Sequence, residues 1–214
     1  MTIHVLIAFY SRNGSTEALA EALADGARSV GAEVRLRRAR EIVAREVMSR
    51  AEGWAEAADA MNARHEAPTV EDAEWADALV FGSPTRFGVI CSELKAYVDS
   101  LGGVWARGAL NGRVGGAFTS TSTLHGGNET TTLTMFNFMA HLGLILIPTG
   151  YADPVMFRGA GTPYGASAVT GQANQRPTDD DLAVARYQGR RVAQVARALK
   201  VLRAESAPAL AAAS

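Results

Sequence analysis

The sequence is short of several features, and each shortage narrows what the chain can be. Cys91 is the only cysteine among 214 residues, so no intrachain disulfide can form and a reducing compartment is compatible. No apolar run reaches the roughly 20 residues of a membrane-spanning helix, and no basic segment precedes the apolar N-terminal run, which argues against a signal peptide. We therefore expect a cytoplasmic protein without a membrane span, in which Cys91 packs in the core.

The chain also lacks an excess of charge of either sign. It has 21 Lys and Arg residues against 22 Asp and Glu, which gives a formal net charge of -1. This balance provides no attraction for nucleic acid or for an anionic membrane, so we expect neither partner. The apolar content of 48% and the charged content of 20% are ordinary for a soluble globular protein, and the length suits one large domain. We expect no metal site.

The start of the chain is its most informative part. Residues 3–10 (IHVLIAFY) form an apolar, strand-like run, residues 11–16 (SRNGST) a small hydroxyl-rich loop, and residues 17–24 a helix-like run. A loop between the carboxyl end of a strand and the N-terminus of a helix offers an anion free backbone N–H groups and the positive end of the helix dipole. The pattern therefore predicts a phosphate site. The alternative is that Ser11 or Ser15 only caps the helix.

Two nucleotide-binding motifs are absent from this loop. It lacks G-x-x-x-x-G-K-[ST], which disfavours nucleotide hydrolysis, and it lacks G-x-G-x-x-G, which disfavours a dinucleotide at this first turn. A monophosphate remains, and flavin mononucleotide (FMN) is the obvious candidate. The loop residues expected to bind it are Ser11, Arg12, Asn13, Gly14, Ser15 and Thr16.

Strand-like and helix-like segments alternate along the rest of the chain, which predicts an α/β fold with a parallel sheet and helices on both faces. Besides the first strand, the predicted strands are residues 33–37, 78–82, 113–119 and 144–147. The later predicted helices are residues 92–101, 128–142 and 179–203. The last helix would be capped by Thr178 or Asp179. We predict one doubly wound, five-stranded domain over residues 1–200 and a flexible Ala-rich tail over residues 201–214.

Two segments are too long for simple connections and are interpreted as insertions. Residues 41–74 are polar and alanine-rich, with a helical pattern over residues 42–61 and a break at Pro68. Residues 150–176 are rich in glycine and have no strong period. We treat both segments as additions to the five-stranded core.

Small polar loops follow three of the predicted strands, near residues 11, 84 and 120. In a doubly wound sheet, ligands bind outside the carboxyl ends of the strands. The three loops would provide one phosphate pocket and two walls for a flat ring, which strengthens the flavin hypothesis. The candidate residues beyond the first loop are Pro84, Thr85, Arg86, Phe87, Ser120, Thr121, Ser122, Thr123, Leu124 and His125.

Four motifs give the chain a resemblance to the flavodoxin-like family, and specifically to the WrbA-type NAD(P)H:quinone oxidoreductases. They are residues 81–88 (FGSPTRFG), 102–110 (GGVWARGAL), 161–166 (GTPYGA) and 185–189 (ARYQG). The resemblance covers about residues 3 to 200. It implies a flavodoxin-like fold, bound FMN, NADH or NADPH as co-substrate and a quinone as substrate. It also implies a homotetramer whose subunit contacts are built by the insertions.

The resemblance implies roles for individual residues as well. The first loop would hold the flavin phosphate, and the other two loops would contact the flavin ring. Trp105 would wall the cavity over the flavin where nicotinamide or quinone stacks, and the glycines around it suggest a loop. His141 would reach a flavin site, from a neighbouring subunit. Trp105 could instead be an ordinary core or interface aromatic, and His141 a histidine at a helix end.

The chain departs from the family at two places. Asn13 stands where the family often has an aromatic residue associated with the nicotinamide cofactor, so Asn13 is a candidate contact for that substrate. The third loop carries Leu124 and His125 where the family tends to have a shorter glycine stretch, and these residues either line the cavity or loop out. The choice between NADH and NADPH stays open, with Arg12 as a candidate contact for a 2′-phosphate.

A quinone reductase of this type needs little acid–base machinery, because the cofactor carries the chemistry and the protein orients it. Hydride would pass from nicotinamide to flavin and then to a quinone that takes the place of the nicotinamide, in a ping-pong scheme. No residue is strictly required as a catalyst, although His141 could protonate the quinone oxygen or donate to the flavin. Arg86 could support the negative charge of the reduced flavin or be a surface charge.

Two other functions compete with this one. A flavodoxin-like electron carrier would have the same fold without quinone reductase turnover, and a scaffold protein would retain the fold but bind flavin weakly. Electron carriers of this type tend to be shorter and strongly acidic. The length of the chain, its near-neutral charge, Trp105 and the motif at residues 161–166 favour the enzyme.

Overall fold

A parallel β-sheet forms the centre of the computed structural model, which describes residues 1–211 and the side chains of residues 1–203. The strands lie in the order β2-β1-β3-β4-β5, the order expected of a doubly wound, flavodoxin-like sheet. Their bounds are Ile3–Phe9 (β1), Ala32–Arg38 (β2), Ala78–Pro84 (β3), Val114–Thr121 (β4) and Ile145–Leu146 (β5). The predicted fold class and the five parallel strands are therefore confirmed.

Helices cover both faces of the sheet. Their bounds are Ser15–Arg28 (α1), Arg45–Met48 (α2), Trp54–Arg64 (α3), Val70–Trp75 (α4), Ser92–Ser100 (α5), Gly102–Ala106 (α6), Asn128–His141 (α7) and Asp179–Ala211 (α8). Successive residues of a strand point to opposite faces, so Ile7 of β1 packs with Leu19 and Leu23 of α1, whereas Leu6 packs with the α5 and α7 side of the core. None of the helices described is both long and apolar enough to cross a membrane.

The edge strand beside β4 is interrupted. The two-residue strand β5 pairs with Val114 and Gly115, and a further strand, β6 (Ser167–Val169), pairs with the carboxyl end of β4. Because β3 pairs along the other edge of β4, β5 and β6 lie on the same edge. The segment between them contains a short 3-10 helix, Pro154–Phe157. The glycine-rich insertion therefore includes a strand, which is too short at three residues to produce a readable period.

Gln188 of α8 holds this interrupted edge in place. Its side chain is fully buried, donates from Nε2 to the carbonyl of Ala117 at 2.8 Å and accepts at Oε1 from the N–H of Ala166 at 2.9 Å. Gly165 allows the close approach, since a Cβ there would lie 1.9 Å from the Ala117 carbonyl oxygen. The two backbone groups that the interruption leaves without a strand partner are thus satisfied by one amide.

The structure corrects two local predictions and selects one of the two proposed caps of the last helix. The helical pattern over residues 42–61 is two helices, α2 and α3, separated by a turn that contains Gly53. Trp105 lies in helix α6 rather than in a loop, because its N–H bonds to the carbonyl of Leu101 and continues the helical path from α5. Thr178 caps α8 by accepting from the N–H of Asp181 at 3.2 Å.

Two other predictions concern the end of the chain and the lone cysteine. Helix α8 continues to Ala211, beyond the predicted end at residue 203, and residues 212–214 of the predicted tail lie outside the described residues. Cys91 is fully buried at the start of α5, which confirms its packing role. Burial raises the pKa of its thiol to about 11.

We predict that Gln188→Met lowers the free energy of unfolding by roughly 2–4 kcal/mol, because two buried backbone groups lose their partner while the volume is nearly kept. Urea unfolding followed by circular dichroism measures the change. Gln172→Met, at an exposed position in the same half of the chain, is the matched control and should change little. Equal stability of the two variants would contradict the role assigned to Gln188.

Candidate functional site

One pocket lies where the carboxyl ends of β1, β3 and β4 meet. It is lined by Ser11, Arg12, Asn13, Ser15, Thr16, Pro84, Thr85, Arg86, Ser120, Thr121, Ser122, Thr170 and Asn174. All but the last two of these residues are candidates from the sequence, so the fold brings the three predicted loops together. Pro84 belongs to β3, and Ser120 and Thr121 belong to β4, so the second and third polar segments begin inside their strands.

The first loop presents an uncapped helix N-terminus to the pocket. The N-cap of α1 is Gly14, at φ 88°, and no side chain caps the helix. Ser11 Oγ instead accepts from the N–H of Gly14 at 3.1 Å, so the alternative in which Ser11 or Ser15 serves only as a helix cap is wrong. Within the described part of the chain, the N–H groups of Arg12, Asn13, Ser15 and Thr16 have no acceptor. Unpaired N–H groups at a helix start are the arrangement that suits a bound anion.

Hydroxyl groups brace the three loops against each other. Thr16 Oγ1 and Ser120 Oγ lie 2.9 Å apart, which joins the first loop to the third. Thr85 donates from its N–H to the carbonyl of Ser120 at 2.9 Å, and its own Oγ1 accepts from Thr131 Oγ1 of α7 at 2.9 Å. The pocket is therefore built by contacts within the chain and does not depend on a ligand to bring its walls together.

The charges around the pocket favour an anion. Its lining includes two arginines and neither aspartate nor glutamate. Glu17, in the first turn of α1, is held by His65 Nε2 at 2.9 Å and by Arg64 at 2.8 Å. Burial alone would raise the pKa of the Glu17 carboxyl, but these hydrogen bonds outweigh it and hold the pKa below its ordinary value. His65, for which no sequence pattern indicates a role, thus anchors the start of α1.

A carboxylate–histidine cluster lies near this anchor. Glu17, Glu21 and His65 have ligand atoms within 4.8 Å of one another, a spacing that could suit a metal ion. The same Glu17 oxygen that faces His65 already accepts from the guanidinium of Arg64. Because the guanidinium of Arg64 already neutralises this carboxylate, we assign no metal to this cluster.

Four candidates from the second and third loops do not line the pocket. Phe87 is fully exposed and has a φ of 54°, a strained value for a bulky residue, in a turn closed by hydrogen bonds between Arg86 and Val89. The sequence left open whether Leu124 of the third loop lines the cavity or loops out. Leu124 is 66% exposed, so it loops out. Thr123 and His125 are also outside the lining. Gly14 lines a neighbouring hollow with Asn13.

Trp105 and His141 are brought together, but away from this pocket. They line a second hollow with Asp99 and Phe138, and the two sets of lining residues have no member in common. Helix α7 explains the separation, because Thr131 contacts the second loop whereas His141 lies ten residues further on, about 15 Å along the helix. Within one chain, neither residue shares the pocket of the three loops.

The sequence missed two residues of the pocket, Thr170 and Asn174. Thr170 follows β6, is buried, and donates from its N–H to the carbonyl of Thr121 at 2.8 Å. Asn174 lies in the turn that follows, with a φ of 50°. The available signal is a threonine at the carboxyl end of a strand, which is the same signal that found the other loops. This signal cannot be read at Thr170, because no sequence pattern predicts the three-residue strand β6 that precedes it.

The comparison with known families agrees with this geometry. A model of the family described as NADPH-dependent FMN reductase matches residues 1–154. The chain belongs to this family. It is 43% identical over 202 residues to an NAD(P)H dehydrogenase (quinone) of Geobacter metallireducens, covering 92% of this chain and 98% of that one. It is 42% identical over 190 residues to a protein of the same name from Deinococcus radiodurans, covering 88% and 93%.

Solved structures with a similar fold include two flavodoxin-type proteins. A WrbA-like flavodoxin from Agrobacterium tumefaciens has a TM-score of 0.65 at 23% identity and covers 92% of this chain and 98% of its own. A flavodoxin from the domain Archaea has a TM-score of 0.60 at 16% identity and covers 91% and 99%. At these identities the likeness shows the fold, and it confirms the flavodoxin-like prediction.

FMN is the cofactor that the family and the fold imply, and the residues of the pocket fit it. The free N–H groups at residues 12–16 suit a phosphate, and the uncapped start of α1 adds its dipole. The other two loops form polar walls beside this cradle. No acidic side chain lines the pocket to repel the phosphate.

We predict that the double variant Ser11→Ala/Thr16→Ala weakens FMN binding by roughly tenfold or more. It removes the Ser11–Gly14 hydrogen bond and the Thr16–Ser120 hydrogen bond that shape the cradle, and each is worth about 1 kcal/mol. Quenching of flavin fluorescence on titration with the apoprotein gives the dissociation constant. Ser49→Ala, at an exposed position in the insertion, is the control. Unchanged FMN affinity would mean that backbone N–H groups alone hold the phosphate.

Proposed function

We propose that the protein is an FMN-dependent NAD(P)H:quinone oxidoreductase that reduces quinones by two electrons to hydroquinones. The observation that carries the proposal is the anion-binding pocket with walls from three strand ends, in a chain more than 40% identical to proteins named NAD(P)H dehydrogenase (quinone). The reaction class also fits the lining of the pocket, which contains hydroxyls, amides and two arginines but no histidine or carboxylate.

The residues of the pocket bind and orient. The first loop, residues 11–16, holds the phosphate through its free N–H groups, and Thr85 and Ser120 fix the two walls. Arg86 places a positive charge in the second wall, with its guanidinium held by the Thr85 carbonyl at 2.9 Å. Bound FMN would supply the redox chemistry, accepting hydride from the nicotinamide and passing it to the quinone. Asn13, which lines the same pocket, is the contact that we propose for the nicotinamide substrate.

Both substrates would use one site in turn, which gives a ping-pong scheme. Each needs a flat face beside the flavin, and the described pocket offers one cradle with one pair of walls. Initial rates at several fixed quinone concentrations should therefore give parallel double-reciprocal lines.

We also propose a homotetramer in the cytoplasm. In one chain, Trp105 and His141 line a hollow of their own, and His141 lies about 15 Å along α7 from the contact with the second loop. If they serve a flavin site, as the family resemblance implies, that site belongs to a neighbouring subunit. His141 would there donate to the flavin or to the quinone oxygen.

The test of the function is a visible spectrum of the protein reconstituted with FMN, recorded without oxygen. Addition of NADH or NADPH should bleach the flavin, and benzoquinone should then restore the oxidised spectrum. Free FMN at the same concentration is the control for reduction in solution. Bound flavin that neither nucleotide reduces would instead support the electron carrier, and a protein that binds no flavin would support the scaffold.

We predict that Trp105→Ala raises the KM for quinone or nicotinamide by roughly three- to tenfold, the range expected for the loss of one stacking contact. The FMN dissociation constant should stay unchanged, because Trp105 lies outside the phosphate pocket. Steady-state kinetics, with the oligomeric state checked by light scattering, make the comparison. Loss of FMN together with turnover would contradict the role given to Trp105.

A further inference from the structure

A second group of charged side chains lies at the edge of the sheet opposite the pocket of the three loops. At this edge, near the amino ends of β1, β3 and β4, there is a hollow of about 390 Å³, which we call the basic hollow. Its lining includes His4, Trp75, Asp77, Arg113, Lys200 and Arg203. Strand β3 has seven residues, so at roughly 3.3 Å per residue the two edges lie about 20 Å apart. The basic hollow is therefore separate from the flavin site.

Arg113, just before β4, is fixed through one nitrogen of its guanidinium. Its Nη1 donates to the carbonyls of Ala73 at 2.9 Å and Glu74 at 2.7 Å, and also to that of Ala76, at the carboxyl end of α4. Carbonyls at a helix end commonly accept from a cation in this way. Within the described part of the chain, Nε and Nη2 of Arg113 have no acceptor. Arg113 is thus held in place and keeps donors free on two nitrogens.

Asp77, just before β3, binds the other two cations. Its carboxylate accepts from Lys200 Nζ at 2.7 Å, from Arg203 Nη2 at 2.6 Å and from the N–H of His4 at 3.0 Å. Burial alone would raise the pKa of the Asp77 carboxyl, but these hydrogen bonds outweigh it and hold the pKa below its ordinary value. Among the described residues, Nε and Nη1 of Arg203 have no acceptor. Arg203, like Arg113, is anchored through one nitrogen and has two others free.

The two arginines lie side by side. A Cβ on Gly112 would be 3.6 Å from Cγ and Cδ of Arg203, so the stem of Arg203 passes over the residue that precedes Arg113. Burial lowers the pKa of the Arg113 guanidinium, and the charge of Arg203 lowers it further. Like charges at close range cost free energy unless an opposite charge lies near both. An anion between the two guanidinium groups would remove this repulsion.

The basic hollow carries more positive than negative charge. Apart from His4, its lining has one lysine and two arginines against two carboxylates, those of Glu74 and Asp77. Arg107 of α6 already binds Glu74, which leaves Asp77 alone to balance the three cations of the lining. Structural ion pairing explains one contact of each cation, but it does not explain the surplus charge or the free donors. Forked N–H donors with surplus positive charge suit a phosphate group.

Trp75 limits what else the ligand can carry. The ring of His4 stacks on the ring of Trp75 at a centroid distance of 4.5 Å, and the guanidinium carbon of Arg35 lies 4.0 Å from the Trp75 centroid. Since two groups this close to one ring must lie on opposite faces, both faces of Trp75 are covered. The ring therefore offers no face to a nucleobase, and the basic hollow fits inorganic phosphate or a small phosphate monoester better than a nucleotide.

We propose that the basic hollow is a binding site for a phosphate group, with Arg113 and Arg203 as its two main ligands and Lys200 as a third contact. The site lies at the opposite edge of the sheet from the flavin pocket and does not depend on the proposed function. Each guanidinium would turn its two free nitrogens toward the phosphate oxygens, which suits the planar fork of arginine. Asp77 would orient Lys200 and Arg203 without contacting the anion.

The test is isothermal titration calorimetry with inorganic phosphate, at constant ionic strength with chloride as the background anion and in the presence of saturating FMN. The FMN keeps phosphate out of the first loop, so the titration reports on other sites. We expect one saturable site. Glycerol 3-phosphate is titrated in parallel. It should bind as tightly as phosphate if the site accepts an ester, and more weakly if the site takes the free ion, and either result supports the site.

Two variants with opposite expected effects locate the site. Arg203→Met removes one fork and should weaken phosphate binding roughly tenfold or more, the range for loss of a charge-assisted hydrogen bond. Asp77→Asn removes the carboxylate beside the anion and keeps an acceptor for the N–H of His4, so it should tighten phosphate binding. Arg50→Met removes one positive charge at an exposed position in the insertion and should leave the affinity unchanged.

The outcomes separate a built site from general attraction between charges. Binding that does not saturate, or that is the same in wild type and Arg203→Met, would indicate an adventitious ion only and would overturn the proposal. Equal losses in Arg203→Met and Arg50→Met would also overturn it, because they would reflect net charge alone. Circular dichroism checks that each variant is folded. If Arg203→Met does not fold, Asp77→Asn decides: tighter binding supports the site, and unchanged or weaker binding overturns it.

Discussion

The uncapped N-terminus of α1 is the constraint on which the rest of the site depends. A helix start normally satisfies its free N–H groups with a side chain, but Gly14 provides none, and Ser11 uses its hydroxyl inside the loop. The register of the sheet then determines which residues lie next to the free N–H groups of the first loop. Phe9 of β1 pairs with Gly82 of β3, and β3 and β4 continue side by side past that point as far as Pro84 and Ser120. The carboxyl ends of β3 and β4 therefore lie together on one side of the first loop.

The walls of the pocket are kept in place by groups that do not themselves need to touch a ligand. Thr131 on α7 fixes Thr85, and Arg38 on β2 fixes the carbonyl of Ser11. On the other side of the sheet Gln188 joins Ala166, just before β6, to Ala117 of β4. Strand β6 then places Thr170 in the lining of the pocket. Preorganisation of this kind matters for a flavoprotein, because positioning provides much of what the protein contributes to hydride transfer.

Much of this arrangement could be predicted from the sequence, and the failures have a common physical cause. Long apolar runs predict most of the strands, and hydroxyl-rich residues predict the polar loops at their ends. Strand β6 has three residues and depends on β4 and Gln188 for its existence, so no local pattern marks it or the Thr170 that follows. The contact between Arg12 and Trp54 joins residues 42 positions apart, and neither residue predicts the other.

Helix α7 extends from the pocket of the three loops to a separate hollow. Its first turns brace the second loop through Thr131, while its last residue, His141, faces a hollow shared with Trp105 at the other end. A rigid helix of this length cannot bring both ends to one pocket. In the proposed tetramer, Trp105 and His141 would face the flavin site of a neighbouring subunit, and the helix that braces one pocket would carry side chains to a second. In that arrangement association of subunits would complete the site, and dissociation would leave FMN bound in a pocket without the aromatic wall that Trp105 is proposed to provide.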